Sequence, residues 1–286
     1  MDDHRLPRTD DYLKQTVFSD PGDLDVSMLP TDVGQLASLV RGLIIHRLEG
    51  PRFDHAIPRE RLHEDAESRY ATEILRLLRE RRDAPLTEER APHERFVGTC
   101  RDFSLLLCSL LRATGTPARI RGGFAAYFVE GFLEDHWVTE YRLPDGSWRL
   151  VDPQVLHPSY DVPFDPLDVP RDRFLVAAEV WRGCREGRID PARCGFHSVD
   201  GLRGLWLVRA RLLQDLASLS GVEPLPWDGW GPRQILEDAQ LTAEDLAFTD
   251  AAARDGGPVA VPDAITSYTT CTGVRQVTLR RSSPPA

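Results

Sequence analysis

The sequence predicts an α+β fold, in which one clearly marked helix packs on an antiparallel sheet and helical extensions stand before and after it. Three observations carry that expectation. Apolar residues recur at helical spacing through much of the first ninety residues and again after residue 170. A helix with both its start and its stop signals occupies 99–114. Alternating, strand-like segments separated by turn residues follow it at once.

Leu36, Leu39, Val40, Leu43 and Ile44 make one helical stripe, with Thr31 or Asp32 placed to cap it. A second helix is expected over 65–82, with Tyr70, Ile74, Leu75 and Leu78 on one face. The stretch 83–95, holding Pro85 and Pro92, reads as a connector. In the helix at 99–114, Thr99-Cys100-Arg101-Asp102 has the form of a capping box, with Asp102 reaching back to Thr99. Gly115 and Pro117 end that helix, and Phe103, Leu106, Leu107, Leu110 and Leu111 form its buried stripe.

Strands are expected over 118–128, 136–143 and 147–151, with a bulge at Gly122-Gly123. Pro144-Asp145-Gly146 turns the last two into a hairpin whose paired positions sum to about 288–290. His136 and Asp152 are then direct or diagonal cross-strand neighbours. A proline-rich loop over 153–170 should lead into helices over 171–186 and 202–219. The stretch 224–232 reads as an irregular, partly buried loop, 242–254 as a helix, and 280–286 as a frayed tail. The expected organisation is a helical segment at 1–93, a catalytic core at 94–165 and a helical extension at 166–286, assembled as one unit.

Composition sets bounds on function. A 286-residue chain with 41% hydrophobic and 28% charged residues is ordinary globular material. Its 35 basic and 45 acidic side chains leave a net charge of −10, which disfavours nucleic acid and anionic membrane as partners. Residues 1–14 lack an apolar signal core, and the run at 36–45 is interrupted by Arg41, so no membrane span is expected. Five scattered cysteines are not a disulfide framework, which points to a reduced, cytoplasmic protein.

Cys100, His136 and Asp152 are the candidate catalytic residues. Cys100 is the first residue of its helix, where the dipole favours a thiolate and its own amide is free to donate to an oxyanion. His136 can take the thiol proton and return it to a leaving group, and Asp152 can hold the other ring nitrogen.

The segments Gly98-Thr99-Cys100-Arg101-Asp102-Phe103, Thr114-Gly115-Thr116-Pro117-Ala118-Arg119, Asp135-His136-Trp137-Val138 and Val151-Asp152-Pro153 resemble the transglutaminase-like core of the papain-like superfamily. The resemblance covers about 96–153, and the flanks are similar to a bacterial group of such proteins without an assigned substrate. It implies a papain-like fold, Cys100 as nucleophile, and His136 and Asp152 completing a triad. It also implies acyl transfer through a thioester from a peptide or small-molecule amide or thioester. Hydrolysis is the favoured outcome, because excluding water requires a specially built site. The alternatives are amide formation onto an amine co-substrate, as in natural-product biosynthesis, and a silent module that binds peptides or partners.

Other residues are secondary candidates. Trp137 either walls the site or packs, and Arg101 and Arg95 either receive an acidic substrate or are solvated. Cys108 points about 80° away from Cys100 around the helix and is expected in the core. Cys184, Cys194 and His197 lack zinc-site spacing, and no calcium loop is present, so no metal or other cofactor is expected. The second oxyanion donor is not evident from the sequence.

Overall fold

The computed structural model describes residues 9–231, 233–257, 259–268 and 273–280. Helix α1 (Val33–Leu43) begins where the Asp32 carboxylate accepts the Gln35 amide at 2.9 Å, so Asp32 is the cap. It ends one residue before the expected stripe does, because Ile44 opens strand β1 (Ile44–His46). A short helix α2 (Arg59–Glu64) follows behind Pro58.

The helix expected over 65–82 forms only as α3 (Ala71–Arg81). Its first turn is lost to tertiary demands. The Asp65 carboxylate accepts the Val97 amide at 2.7 Å and also binds Arg81, holding residues 65–67 in a 3-10 turn. Arg69 then reaches away to Asp228 at 2.6 Å, and the chain is extended at Ser68 and Tyr70.

Strand β2 (Phe96–Gly98) runs parallel to β1, pairing Ile44 with Phe96 and His46 with Gly98. It feeds directly into α4 (Cys100–Ala113). The sequence assigned α4 one apolar stripe, yet every residue from Arg101 to Arg112 is buried. The helix is enclosed by α1, α3 and the sheet, and Arg101, Asp102, Ser104 and Arg112 find hydrogen-bond partners inside the protein.

Strands β3 (Ala118–Ala125), β4 (Leu133–Arg142) and β5 (Trp148–Val151) form an antiparallel meander. Thr139 faces Val151 and Glu140 faces Leu150, so paired numbers sum to 290 and Asp152 is the diagonal neighbour of His136. No bulge occurs at Gly122-Gly123: the ladder runs unbroken from Ala118–Tyr141 to Ala125–Glu134. Gly123 serves a close approach instead. A Cβ there would stand 2.3 Å from the Leu175 carbonyl oxygen and 3.0 Å from the Val176 Cα, in strand β6 (Phe174–Val176).

β6 also corrects the helix expected over 171–186. Residues 174–176 close the free edge of β3 as a strand, and helix α5 begins only afterwards (Ala177–Arg185). The main sheet therefore has the order β5-β4-β3-β6, and β7 (Cys194–Gly195) pairs in parallel with the start of β4. Helix α6 (Leu205–Leu219) packs on β3 beyond the reach of β6. There its Asp215 accepts the unpaired Gly122 amide at 2.8 Å and binds Arg121 at 2.9 Å.

The loop expected at 224–232 contains strand β8 (Asp228–Gly229), and Pro232 lies outside the described residues. The helix expected over 242–254 forms as α7 (Ala243–Asp255), with Thr242 as its cap. Strand β9 (Ala264–Ser267) pairs with β8 and with β10 (Arg275–Thr278), a small sheet with no clear sequence signal. The expected fraying of 281–286 falls outside the described residues.

The largest apolar cluster draws on Phe18, α1, α3, α4, β3 and β4, and reaches Ile265 and Leu279 near the C-terminus. This cluster takes residues from each of the stretches 1–93, 94–165 and 166–286. Among the described residues no helix is long and apolar enough to cross a membrane.

Candidate active site

Cys100 stands at the first position of α4, half-buried, where β2 delivers the chain. The cap is built differently from a full capping box. Asp102 does reach back, accepting the Thr99 amide at 2.8 Å, but the Thr99 hydroxyl donates to the same carboxylate at 3.0 Å. The first turn is locked either way, and the Cys100 amide has no carbonyl partner within its own helix.

His136 lies in β4 and Asp152 immediately after β5, and both are almost fully buried. His136 Nε2 is 2.8 Å from Asp152 Oδ2. That leaves the other ring nitrogen free of Asp152, and Cys100 is close enough to act electrostatically on the ring. Asp152 is itself fixed on every side. Its Oδ2 accepts the Tyr127 hydroxyl at 2.6 Å, its Oδ1 accepts the Gln154 amide at 3.0 Å, and its own amide donates to the Pro166 carbonyl at 2.9 Å.

The electrostatics follow from this packing. Burial alone would push the His136 pKa down, but the Asp152 charge, the bond to Asp152 and the nearby Cys100 outweigh it and raise it to about 10. Burial, together with the Asp152 charge, drives the Tyr127 pKa well above that of an ordinary tyrosine, so its hydroxyl stays a donor.

Aromatic rings surround the imidazole. Phe128 lies 4.9 Å, Tyr127 5.9 Å and Phe174 6.3 Å from it, centroid to centroid, all edge-on. Tyr160 packs on Phe128 and ties the site to a second polar chain. The Gln154 amide group donates to the Tyr160 hydroxyl at 3.1 Å, which donates to Glu49. Glu49 in turn accepts Arg41 at 3.0 Å and the His46 amide at 2.9 Å. Tyr127, Phe128, Tyr160 and Glu49 were not singled out in the sequence. The only signal was that Tyr127-Phe128 ends an expected strand, and nothing local ties Glu49 or Tyr160 to it.

The secondary candidates lie elsewhere. Trp137 is 1% exposed on the opposite side of β4 from His136, covering Gly122, with the Arg211 guanidinium 4.9 Å from its ring. It packs and does not wall the site. Arg101 is fully buried and donates to the Arg69 and Glu223 carbonyls and, at 3.1 Å, to Asp102. It clamps the start of α4 from inside the protein. Arg95 is half-buried, donating to the Arg90 carbonyl at 3.0 Å over the Phe53 ring.

The remaining described cysteines are set apart. Cys108 is in the core, where burial pushes its thiol up to about 12. Cys194 is buried and bonded to the Asp190 carbonyl at 3.5 Å, while His197 packs edge-on to Phe132. Cys271 lies outside the described residues.

Comparison with known proteins places the site in context. Residues 64–153 match the sequence model of the Transglutaminase-like superfamily, a span that contains Cys100, His136 and Asp152. A solved transglutaminase from red sea bream aligns at 17% identity over 82% of this chain, with a TM-score of 0.32. The alignment spans 38% of that protein's length. The comparison with curated proteins gave no match.

Proposed function

We propose that the transglutaminase-like core at 64–153 performs acyl transfer through a thioester on Cys100, with water as the usual acceptor. The observation that supports this reading is the placement of His136, bonded to Asp152 through Nε2 and within electrostatic reach of Cys100, inside an aromatic enclosure.

With its pKa near 10, His136 holds a proton at neutral pH and stands as the counter-charge to a Cys100 thiolate. The thiolate attacks the carbonyl carbon of an amide or thioester, and the Cys100 amide donates to the oxyanion that forms. As the tetrahedral intermediate collapses, the His136 proton passes to the departing nitrogen or sulfur. Neutral His136 then takes a proton from water as that water attacks the thioester, releasing the acid and restoring the ion pair. An amine entering in place of water yields an amide by the same steps. Asp152 keeps the ring in one orientation throughout, and Tyr127 and Gln154 keep Asp152 in place.

Intact-mass measurement across amide and thioester donors, with and without added amine, tests the proposal. The expected result is a donor-dependent mass increase on Cys100 that decays in water. Absence of any adduct across the panel, or an adduct that persists in Cys100→Ala, would defeat it. Product analysis with the amine present reports the partition between hydrolysis and amide formation.

A further inference from the structure

We propose that His46 is a further catalytic residue, its Nε2–H donating to the oxyanion alongside the Cys100 amide. The inference rests on the acyl-transfer reading above and names the donor missing from it.

The placement comes from the two-stranded ladder that leads into α4. His46 pairs with Gly98, two residues before Cys100, and the Arg47 amide locks that register by donating to the Gly98 carbonyl at 2.9 Å. Paired residues of a parallel ladder project to the same side. On that side, a Cβ at position 98 would stand 3.0 Å from the Asp102 Cβ and 3.1 Å from the Ile44 Cγ2. The side shared by Ile44, Gly98 and His46 is therefore the side occupied by the first turn of α4. That close packing requires glycine at 98, and it sets the imidazole on the same side of the ladder as the start of α4.

The ring is held in the tautomer such a donor needs. Its Nδ1 accepts the Leu48 amide at 3.3 Å, so the neutral ring carries its hydrogen on Nε2. Nε2 makes no hydrogen bond to any described residue, and it is not among the buried polar atoms left without a partner. It is a donor left open to an incoming group. The backbone here is braced to the triad: Glu49 accepts the His46 amide and the Tyr160 hydroxyl, Tyr160 accepts from Gln154, and the Gln154 amide binds Asp152.

The charge state agrees. Burial pushes the His46 pKa down to about 4; Glu49 opposes this, while the His136, Arg47 and Arg41 charges add to it. His46 is thus a neutral donor throughout the working pH range, beside a charged His136. The two histidines divide the work, one moving protons and the other holding the developing charge.

The test compares two reactions of the same thiol. Acylation of Cys100 by p-nitrophenyl acetate passes through an oxyanion, whereas alkylation by iodoacetamide does not. His46→Ala should slow acylation about 10²-fold while alkylation changes by less than about threefold. His46→Gln, which offers a neutral N–H at similar reach, should recover about tenfold of the loss. His46→Asn, too short to reach, should behave like His46→Ala and replaces it if that variant does not fold. Acylation as fast as in the wild type in His46→Ala or His46→Asn would overturn the assignment alone. Equal losses in acylation and alkylation would also overturn it, because His46 would then act on the thiol. A wild-type protein that p-nitrophenyl acetate fails to acylate at Cys100 would overturn the acyl-transfer reading and this inference with it.

Discussion

Replacing Asp152 by Asn isolates the interaction on which the site depends. In the wild type, burial of His136 opposes its protonation and the Asp152 carboxylate, 2.8 Å from Nε2, reverses the balance, lifting the pKa from 6.5 to about 10. Asparagine keeps the shape but removes the charge, and with its oxygen left on the Gln154 amide its NH2 stands where Oδ2 met both Nε2 and the Tyr127 hydroxyl. Burial then prevails, and the His136 pKa should fall below 6.5. The change of more than three units corresponds to roughly 5 kcal/mol between the protonation states. The Asn amide would also donate to Nε2 and force the ring hydrogen onto the nitrogen facing Cys100, the wrong tautomer for accepting a proton. Acylation should fall by about 10³–10⁴-fold.

NMR titration of histidine-labelled protein reads the pKa directly, and stability against pH gives an independent check. Between pH 6.5 and about 10 the folded wild type holds a proton that the unfolded chain has lost. This stabilisation is therefore complete below pH 6.5 and disappears as pH rises through 10, with a limiting slope of about 1.4 kcal/mol per unit. The slope should vanish from this window in Asp152→Asn. A His136 that titrates near 6.5 in the wild type, or still near 10 in the variant, would refute the reasoning.

Three other substitutions test the supports of the site. Tyr127→Phe removes a charge-assisted bond to Asp152 and should cost about 1.5–3 kcal/mol in urea unfolding. Because Asp152 then has one donor fewer, the His136 pKa should rise further, and a downward shift would contradict the arrangement. Arg101→Met leaves Asp102 and two buried carbonyls without their partner, so a loss of about 3–5 kcal/mol is expected by denaturant titration. Unchanged stability with a raised KM would instead return Arg101 to the substrate site. Gly123→Ala sets a methyl against the Leu175 carbonyl and should destabilise by about 1–3 kcal/mol; an unaltered thermal midpoint would show that β6 can move away.

The neighbourhood of Cys100, His136 and Asp152 was legible in the sequence because its signals are local. The Thr99-to-Asp102 cap depends on residues three apart, and the Pro144–Gly146 turn sets the register that brings Asp152 diagonal to His136. What failed in the reading failed where distant groups intervene. Asp65 was claimed by the Val97 amide and Arg81, which cost α3 its first turn. Residues 174–176 became a strand because the edge of β3 was open beside Gly123.

Sequence alone was enough for the helix that Cys100 opens, for the hairpin and for the diagonal placing of His136 and Asp152, since turns and caps act over a few positions of chain. Only the tertiary structure decided that Trp137 and Arg101 are sealed away, that Tyr127 and Gln154 hold Asp152, and that His46 stands beside Gly98. Those outcomes depend on burial and on contacts between residues up to 122 positions apart, which no local pattern encodes.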